Sequence, residues 1–187
     1  MKHLWKVLSL SLVLGLSLGF TGCGDDDDAP SSYMIVDGKD YRLTSGIILA
    51  TPANQIGEEA YVMTVYLYSS GIKYDKAAED FTGKGHVAYI TVSSSSSTGL
   101  PSGEYDFLDE ITLDFDPFIN FGGYHGTNLD LNSGEYQEFY DFIGDMKVEL
   151  SDGVYRISYE GLDDFDEPFL IEFKGKLDFQ VHDNPID

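Results

Sequence analysis

Hydrophobic and polar positions alternate along most of the chain, and this period of two predicts β-strands rather than helices. The alternation is clearest in residues 146–150 and 155–159, where apolar side chains at every second position are separated by charged or small polar ones. Asp152-Gly153 lies between these segments, and Asp37-Gly38 lies between two shorter ones. Asp-Gly is a favoured dipeptide in two-residue hairpin turns, because both turn positions require positive φ. The pattern therefore predicts a hairpin at each place.

Three segments in the first half of the chain are apolar on both faces: residues 46–50, 61–68 and 86–92. Such segments predict central strands that are covered on two sides. Near the end, residues 169–179 alternate again and predict one long last strand. Gly175 falls on its inward face, where a missing side chain indicates a bend, a bulge or a close neighbour.

Two longer segments show less regularity. Residues 70–85 predict a connection in which residues 76–81 form a single helical turn. Residues 116–144 combine several glycines with eight nearby aromatic residues and predict a long irregular excursion, a type of loop that is often functional. Altogether the sequence predicts an all-β fold of about nine or ten strands, either an antiparallel β-sandwich or a closed or nearly closed β-barrel.

The N-terminal pattern is different. Lys2 and Lys6 precede an uncharged, leucine-rich run over residues 7–20. A helix of about 14 residues spans roughly 21 Å, which is short of the roughly 30 Å hydrocarbon core of a bilayer. The segment is therefore interpreted as a secretory signal peptide and not as a permanent transmembrane helix.

The end of this run, Phe20-Thr21-Gly22-Cys23, resembles the lipobox of bacterial lipoproteins, although Phe20 replaces the usual leucine. The resemblance implies that Cys23 receives the lipid and becomes the mature N-terminus. The acidic run Asp25–Asp28 resembles the surface-export signal of lipoproteins from the Bacteroidota, and this implies a lipid-anchored protein facing outward from the outer membrane. A plain solvated spacer is the alternative interpretation of this acidic run.

These features divide the chain into four parts. Residues 1–22 form the signal peptide, and residues 23–32 form the lipidated cysteine and a disordered acidic tether. Residues 33–180 form one β domain, and residues 181–187 form a loose tail. The β domain is long enough to bury a sizeable core.

Charge narrows the possible partners. The chain has 33 acidic and 11 basic residues, with a net charge of −22 at pH 7. Phosphate backbones repel so acidic a protein, so nucleic-acid binding is not expected. Because the single cysteine is assigned to the lipid, no disulfide or thiolate metal site is expected either.

No motif in the sequence predicts catalysis. His86, His125 and His182 are scattered, and the Ser-x-x-Lys spelling at residues 70–73 lies in a predicted loop rather than on a helix. The protein is therefore expected not to be an enzyme. Calcium is the possible cofactor, because one short segment offers four carboxylates, the oxygen ligands that calcium prefers: Asp163, Asp164, Asp166 and Glu167. A solvated acidic turn is the alternative.

Aromatic side chains suggest a binding role. Tyrosine and phenylalanine are dense in residues 115–142, and aromatic rings can pack on the apolar faces of sugars. The possible stacking residues are Tyr124, Tyr136 and Tyr140. The bulk of such tyrosines in β proteins are core or sheet-covering residues, which is the alternative interpretation, and the only tryptophan, Trp5, lies in the predicted signal peptide.

The sequence thus predicts a membrane-anchored, surface-exposed lipoprotein that acts as a binding module for an extracellular glycan or protein. Two alternatives remain open. The first is a lipocalin-like barrel that carries a small apolar ligand. The second is a structural or assembly subunit of a surface appendage, which would expose a long unpaired edge strand.

Overall fold

A computed structural model of the chain describes residues 32–54, 59–108 and 117–182. These residues contain no helix, and the all-β class is confirmed. Their strands are β1 (Tyr33–Val36), β2 (Lys39–Arg42), β3 (Ser45–Asn54), β4 (Glu59–Tyr68), β5 (Ile72–Asp75), β6 (Asp80–Ser94), β7 (Gly103–Phe107), β8 (Ile119–Asp130), β9 (Tyr140–Ser151), β10 (Val154–Asp163), β11 (Pro168–Gly175) and β12 (Asp178–Val181).

Eleven of these strands form one strongly curled sheet, in the order β12-β3-β4-β6-β8-β7-β9-β10-β11-β1-β2, and β5 joins it through β6. The curl gives the molecule the shape of a half-barrel. Most neighbours are antiparallel, but β12 runs parallel to β3 and β7 runs parallel to β8. The predicted count of nine or ten strands is wrong, because the described residues alone contain twelve.

Both predicted hairpin turns are confirmed. Asp37 and Gly38 have φ values of 52° and 69° and join β1 to β2. Asp152 and Gly153 have φ values of 52° and 74° and join β9 to β10. All four residues adopt the left-handed conformation that the turn requires.

The helical turn predicted over residues 76–81 is wrong. This segment is the turn of a hairpin in which β5 pairs with the first residues of β6. The carboxylate of Asp75 accepts hydrogen bonds from the backbone N–H groups of Ala77 and Ala78, at 2.8 and 3.2 Å. These bonds give the backbone an alternative to helical pairing.

The irregular excursion predicted over residues 116–144 is also wrong. It contains the whole of β8 and the start of β9, whose alternation is obscured by glycines and by two register shifts between β6 and β8. Gly123 is one reason for the glycine content, because a Cβ there would lie 2.6 Å from the ring of Phe142.

The predicted long last strand is divided in two. β11 ends at Gly175, and after Lys176 and Leu177 the chain continues as β12 on the opposite edge of the sheet. Of the three features expected at Gly175, a close neighbour is present, because a Cβ there would lie 2.8 Å from the ring of Phe173. Val181, assigned to the loose tail, is the last residue of β12.

The inner face of the curl is filled with apolar side chains. Its largest fully buried members include Tyr105, Phe142, Tyr159 and Phe169. A second, smaller cluster lies on the outer face, where Ile72, Val87 and Leu129 are buried beneath aromatic residues. The sheet is thus apolar on both faces near β4, β6 and β8, as the two-sided pattern of the first half predicts.

Candidate functional site

Three tyrosines lie side by side on the outer face of the sheet. Tyr66 on β4 is directly opposite Tyr89 on β6, which is directly opposite Tyr124 on β8. The ring centroids are 5.2 Å apart in both pairs, and the rings of Tyr89 and Tyr124 are stacked at an interplanar angle of 29°. We call these three residues the tyrosine row. Adjacent strands lie about 4.8 Å apart, so the register of the sheet sets the spacing of the rings.

Other aromatic residues surround the row. The ring of Phe81, on the β5–β6 hairpin, is 4.8 Å from that of Tyr66, and the ring of Phe139 is 6.2 Å from that of Tyr89. Tyr66 and Tyr89 are half-buried, whereas Tyr124 is 41% exposed. The row therefore becomes accessible to solvent towards Tyr124.

A carboxylate lies at this accessible end. Asp141 is opposite Tyr124 on β9, and its negative charge is the main reason why the pKa of Tyr124 is raised. Burial raises the pKa of Tyr66, and raises the pKa of Tyr89 to about 12. All three hydroxyls consequently keep their protons at physiological pH and can donate hydrogen bonds.

The three predicted stacking residues are not brought together. Tyr124 belongs to the row, but Tyr140 faces the inner side of the curl, where its ring lies 5.8 Å from that of His125 and 5.6 Å from that of Phe165. The Tyr140 hydroxyl donates to the Glu138 carboxylate at 2.8 Å. Tyr136 is 89% exposed on the connection between β8 and β9.

Sequence reasoning missed the partners of Tyr124. Tyr66 and Tyr89 lie in segments that are apolar on both faces, and nothing in either segment distinguishes a buried ring from a ring on an open surface. Their alignment with Tyr124 depends on the strand order β4-β6-β8, which places strands far apart in sequence next to one another.

The four predicted calcium ligands lie in the turn between β10 and β11. One carboxylate oxygen of Asp163 accepts hydrogen bonds from the backbone N–H groups of Phe165 and Glu167, at 2.9 and 3.0 Å. The carboxylate of Asp164 accepts a hydrogen bond from the backbone N–H of Asp141 at 3.0 Å. Asp163 thus stabilises the turn through its own backbone, and Asp164 connects the turn to β9. Calcium binding stays a prediction.

Among the described residues, those of the acidic turn included, no group of three or more histidine, cysteine or acidic side chains is arranged to hold a metal ion. A surface cavity of about 470 Å³ on β7, β9 and β10 contains Glu104, Asp106, Asp145 and Glu160 together with Lys147. The Asp145 carboxylate accepts a hydrogen bond from the backbone N–H of Phe107, so it too has a structural role.

Comparison with known proteins gives no match: no family model, no curated protein and no solved structure resembles the chain closely enough to be assigned. In the part of the chain that the structure describes, no helix is long and apolar enough to cross a membrane. The function is therefore inferred from the residues of this chain.

Proposed function

We propose that the protein is a lipid-anchored, outward-facing outer-membrane lipoprotein whose β domain is a non-enzymatic module that binds an extracellular glycan at the tyrosine row. The observation that carries the proposal is the line of three adjacent tyrosine rings that ends at the exposed Tyr124 beside Asp141. The lipid anchor rests on the sequence around Cys23, which lies outside the described residues.

The chemistry of the row suits a carbohydrate. Sugar rings present apolar C–H faces and equatorial hydroxyls, and an aromatic face packs on the first while nearby polar groups bind the second. Here the ring of Tyr124, the exposed member of the row, supplies the apolar contact. The Asp141 carboxylate and the tyrosine hydroxyls supply hydrogen-bond acceptors and donors at the edge of the contact.

The two alternatives find less support. A carrier of apolar ligands needs an open interior, whereas the inner face of the curl is filled by buried side chains such as Tyr105, Phe142 and Phe169. Assembly by strand addition needs a long free edge, whereas the edge strands β2 and β12 have four residues each and carry charged side chains. A protein partner at the same aromatic surface remains the second candidate, because exposed tyrosines also occur in protein interfaces.

The test is affinity for a panel of neutral polysaccharides, measured by calorimetry with the full chain in an uncharged detergent. Replacing Tyr124 with Ala removes a stacking contact of about 1 kcal/mol, so affinity for the bound glycan falls roughly fivefold. Tyr124→Phe keeps the ring and loses only the hydroxyl, and it retains most of the affinity.

Leu150→Ala is the matched control, because Leu150 is 42% exposed on β9 and has no described contact with the row. This variant binds like the wild type. Equal losses in Tyr124→Ala and Leu150→Ala, or no binding to any polysaccharide in the panel, would count against the glycan proposal and favour a protein partner.

A further inference from the structure

A second cavity differs from the rest of this acidic molecule in its charge. It has a volume of about 380 Å³ and lies where the β2–β3 and β4–β5 connections meet β6. Its polar side chains are three basic residues and three hydroxyl residues: Arg42, Lys84, His86, Thr44, Ser69 and Ser70. No carboxylate lines it, although acidic residues outnumber lysine and arginine by 33 to 11 in the chain. The cavity on β7, β9 and β10, by contrast, contains four acidic side chains.

Hydrogen bonds hold His86 in a defined orientation. Its Nδ1 accepts a hydrogen bond from the backbone N–H of Asn128 at 3.1 Å, and its ring lies against that of Tyr41, with centroids 4.8 Å apart. Because Nδ1 is the acceptor, the proton of the neutral ring is on Nε2, which is the nitrogen that can donate. The Ser69 hydroxyl oxygen accepts a hydrogen bond from the backbone N–H of His86 at 3.0 Å, so its own proton is free to be donated elsewhere.

The positive charge of the cavity comes chiefly from Arg42. Lys84 forms an ion pair of 2.6 Å with Asp130, which offsets its charge. Arg42 forms no ion pair within the described ranges, and its guanidinium offers the planar fork of donors that fits carboxylate, sulfate and phosphate groups.

Two glycines allow the backbone segments around the cavity to approach each other closely. A Cβ added to Gly71 would collide with the backbone carbonyl of Lys84, and one added to Gly85 would collide with the Ser69 hydroxyl. The close approach of these backbones brings the hydroxyl and basic groups together around one space.

From these observations we infer that the cavity formed by Arg42, Lys84 and His86 is an anion-binding site that takes an oxyanion group, a carboxylate, sulfate or phosphate. The Arg42 guanidinium supplies the charge, and the Ser69 hydroxyl and the His86 imidazole supply neutral donors. The site goes beyond the proposed glycan contact and does not depend on it, because the two sites share no residue.

The test is an NMR titration of the full-length chain in an uncharged detergent, at neutral pH and constant ionic strength. Three probes are used, sodium sulfate, sodium phosphate and polygalacturonate, and the imidazole signals of His86 are followed. A saturable shift is expected with at least one probe. Arg42→Gln weakens that binding by about tenfold, because a charge-assisted hydrogen bond is lost.

Lys39→Gln is the matched control, since Lys39 is an exposed cation on the same strand and does not line the cavity. This variant changes the affinity for the anion by less than about twofold, because salt screens the charge of a residue outside the cavity. Tighter binding of polygalacturonate than of both inorganic ions identifies an acidic saccharide as the source of the anion, and the reverse order identifies a free oxyanion.

Two results would overturn the inference: no saturable shift at His86 with any of the three probes, or equal weakening by Arg42→Gln and Lys39→Gln. Neither result would bear on the proposed binding of a neutral polysaccharide through Tyr124. The anion site and the glycan site can therefore fail separately.

Discussion

His125 is a buried polar residue without a polar partner. It is 2% exposed, and neither ring nitrogen forms a hydrogen bond with the described residues. Its ring is instead stacked on that of Phe169, with centroids 5.0 Å apart and an interplanar angle of 17°. Burial lowers the pKa of His125 below 6.5, and the nearby charge of Asp163 opposes this shift only in part. The residue therefore behaves as a neutral aromatic side chain in the folded protein.

His125→Phe is expected to raise the free energy of unfolding by about 1 kcal/mol, because it keeps the stacked ring and removes unpaired polar atoms. This gain in the free energy of unfolding also depends on pH. Since the folded pKa is lowered, the unfolded chain binds the proton first as pH falls, and the wild type loses stability below about pH 6.5 down to the folded pKa. Urea unfolding at several pH values measures both effects.

The free energy of unfolding of His125→Phe should therefore fall less at low pH than that of the wild type, because the contribution of His125 is absent. His182→Gln is the control, because His182 lies nearer the surface beside the carboxylate of Glu79. If the difference between His125→Phe and the wild type were the same at pH 8 and just below pH 6.5, the buried-histidine argument would be wrong.

At the scale of elements, the sequence predicted the features that depend only on residues adjacent in the chain. The Asp37-Gly38 and Asp152-Gly153 turns are local, since positive φ at two adjacent positions is a property of the dipeptide. The strand β8 was missed, because Gly122, Gly123 and Gly126 remove side chains from its pattern where other parts of the chain come close. The tyrosine row was missed because its alignment depends on strand order, which local patterns do not encode.

The acidic turn between β10 and β11 can be tested directly. Asp163→Ala removes an acceptor from two backbone N–H groups and is expected to lower the free energy of unfolding by about 2 kcal/mol. Because these bonds need no metal, the loss is the same in calcium and in EDTA. Thermal melts in calcium, magnesium and EDTA at constant ionic strength provide the measurement.

Glu167→Gln is the control for the turn, since Glu167 is exposed and keeps its backbone bonds to Asp163 in this variant. It should melt like the wild type in all three solutions. A wild-type melting temperature that rises with calcium but not with magnesium, and a loss of that rise in both variants, would instead establish the predicted calcium site.

At the scale of the whole molecule, charge and anchor act in opposite directions. A net charge of −22 repels the protein from anionic lipid surfaces, so the protein itself supplies no electrostatic membrane affinity. In the proposed lipoprotein, stable attachment would come from lipid chains, each buried methylene of which contributes about 0.8 kcal/mol. The proposed acylation of Cys23 would supply this attachment, and the acidic run after it would hold the domain away from the surface.

Cys23→Ser should therefore move the protein from the membrane fraction to the soluble fraction of the cells that produce it. Replacing Asp25–Asp28 with Asn is the control, because it alters the tether and leaves the lipidated residue intact, so this variant stays with the membrane. Protease added to intact cells should digest the wild type if the domain faces outward. Retention of Cys23→Ser in membranes after a high-salt wash would mean that something other than the lipid anchors the chain, since salt removes electrostatic attachment.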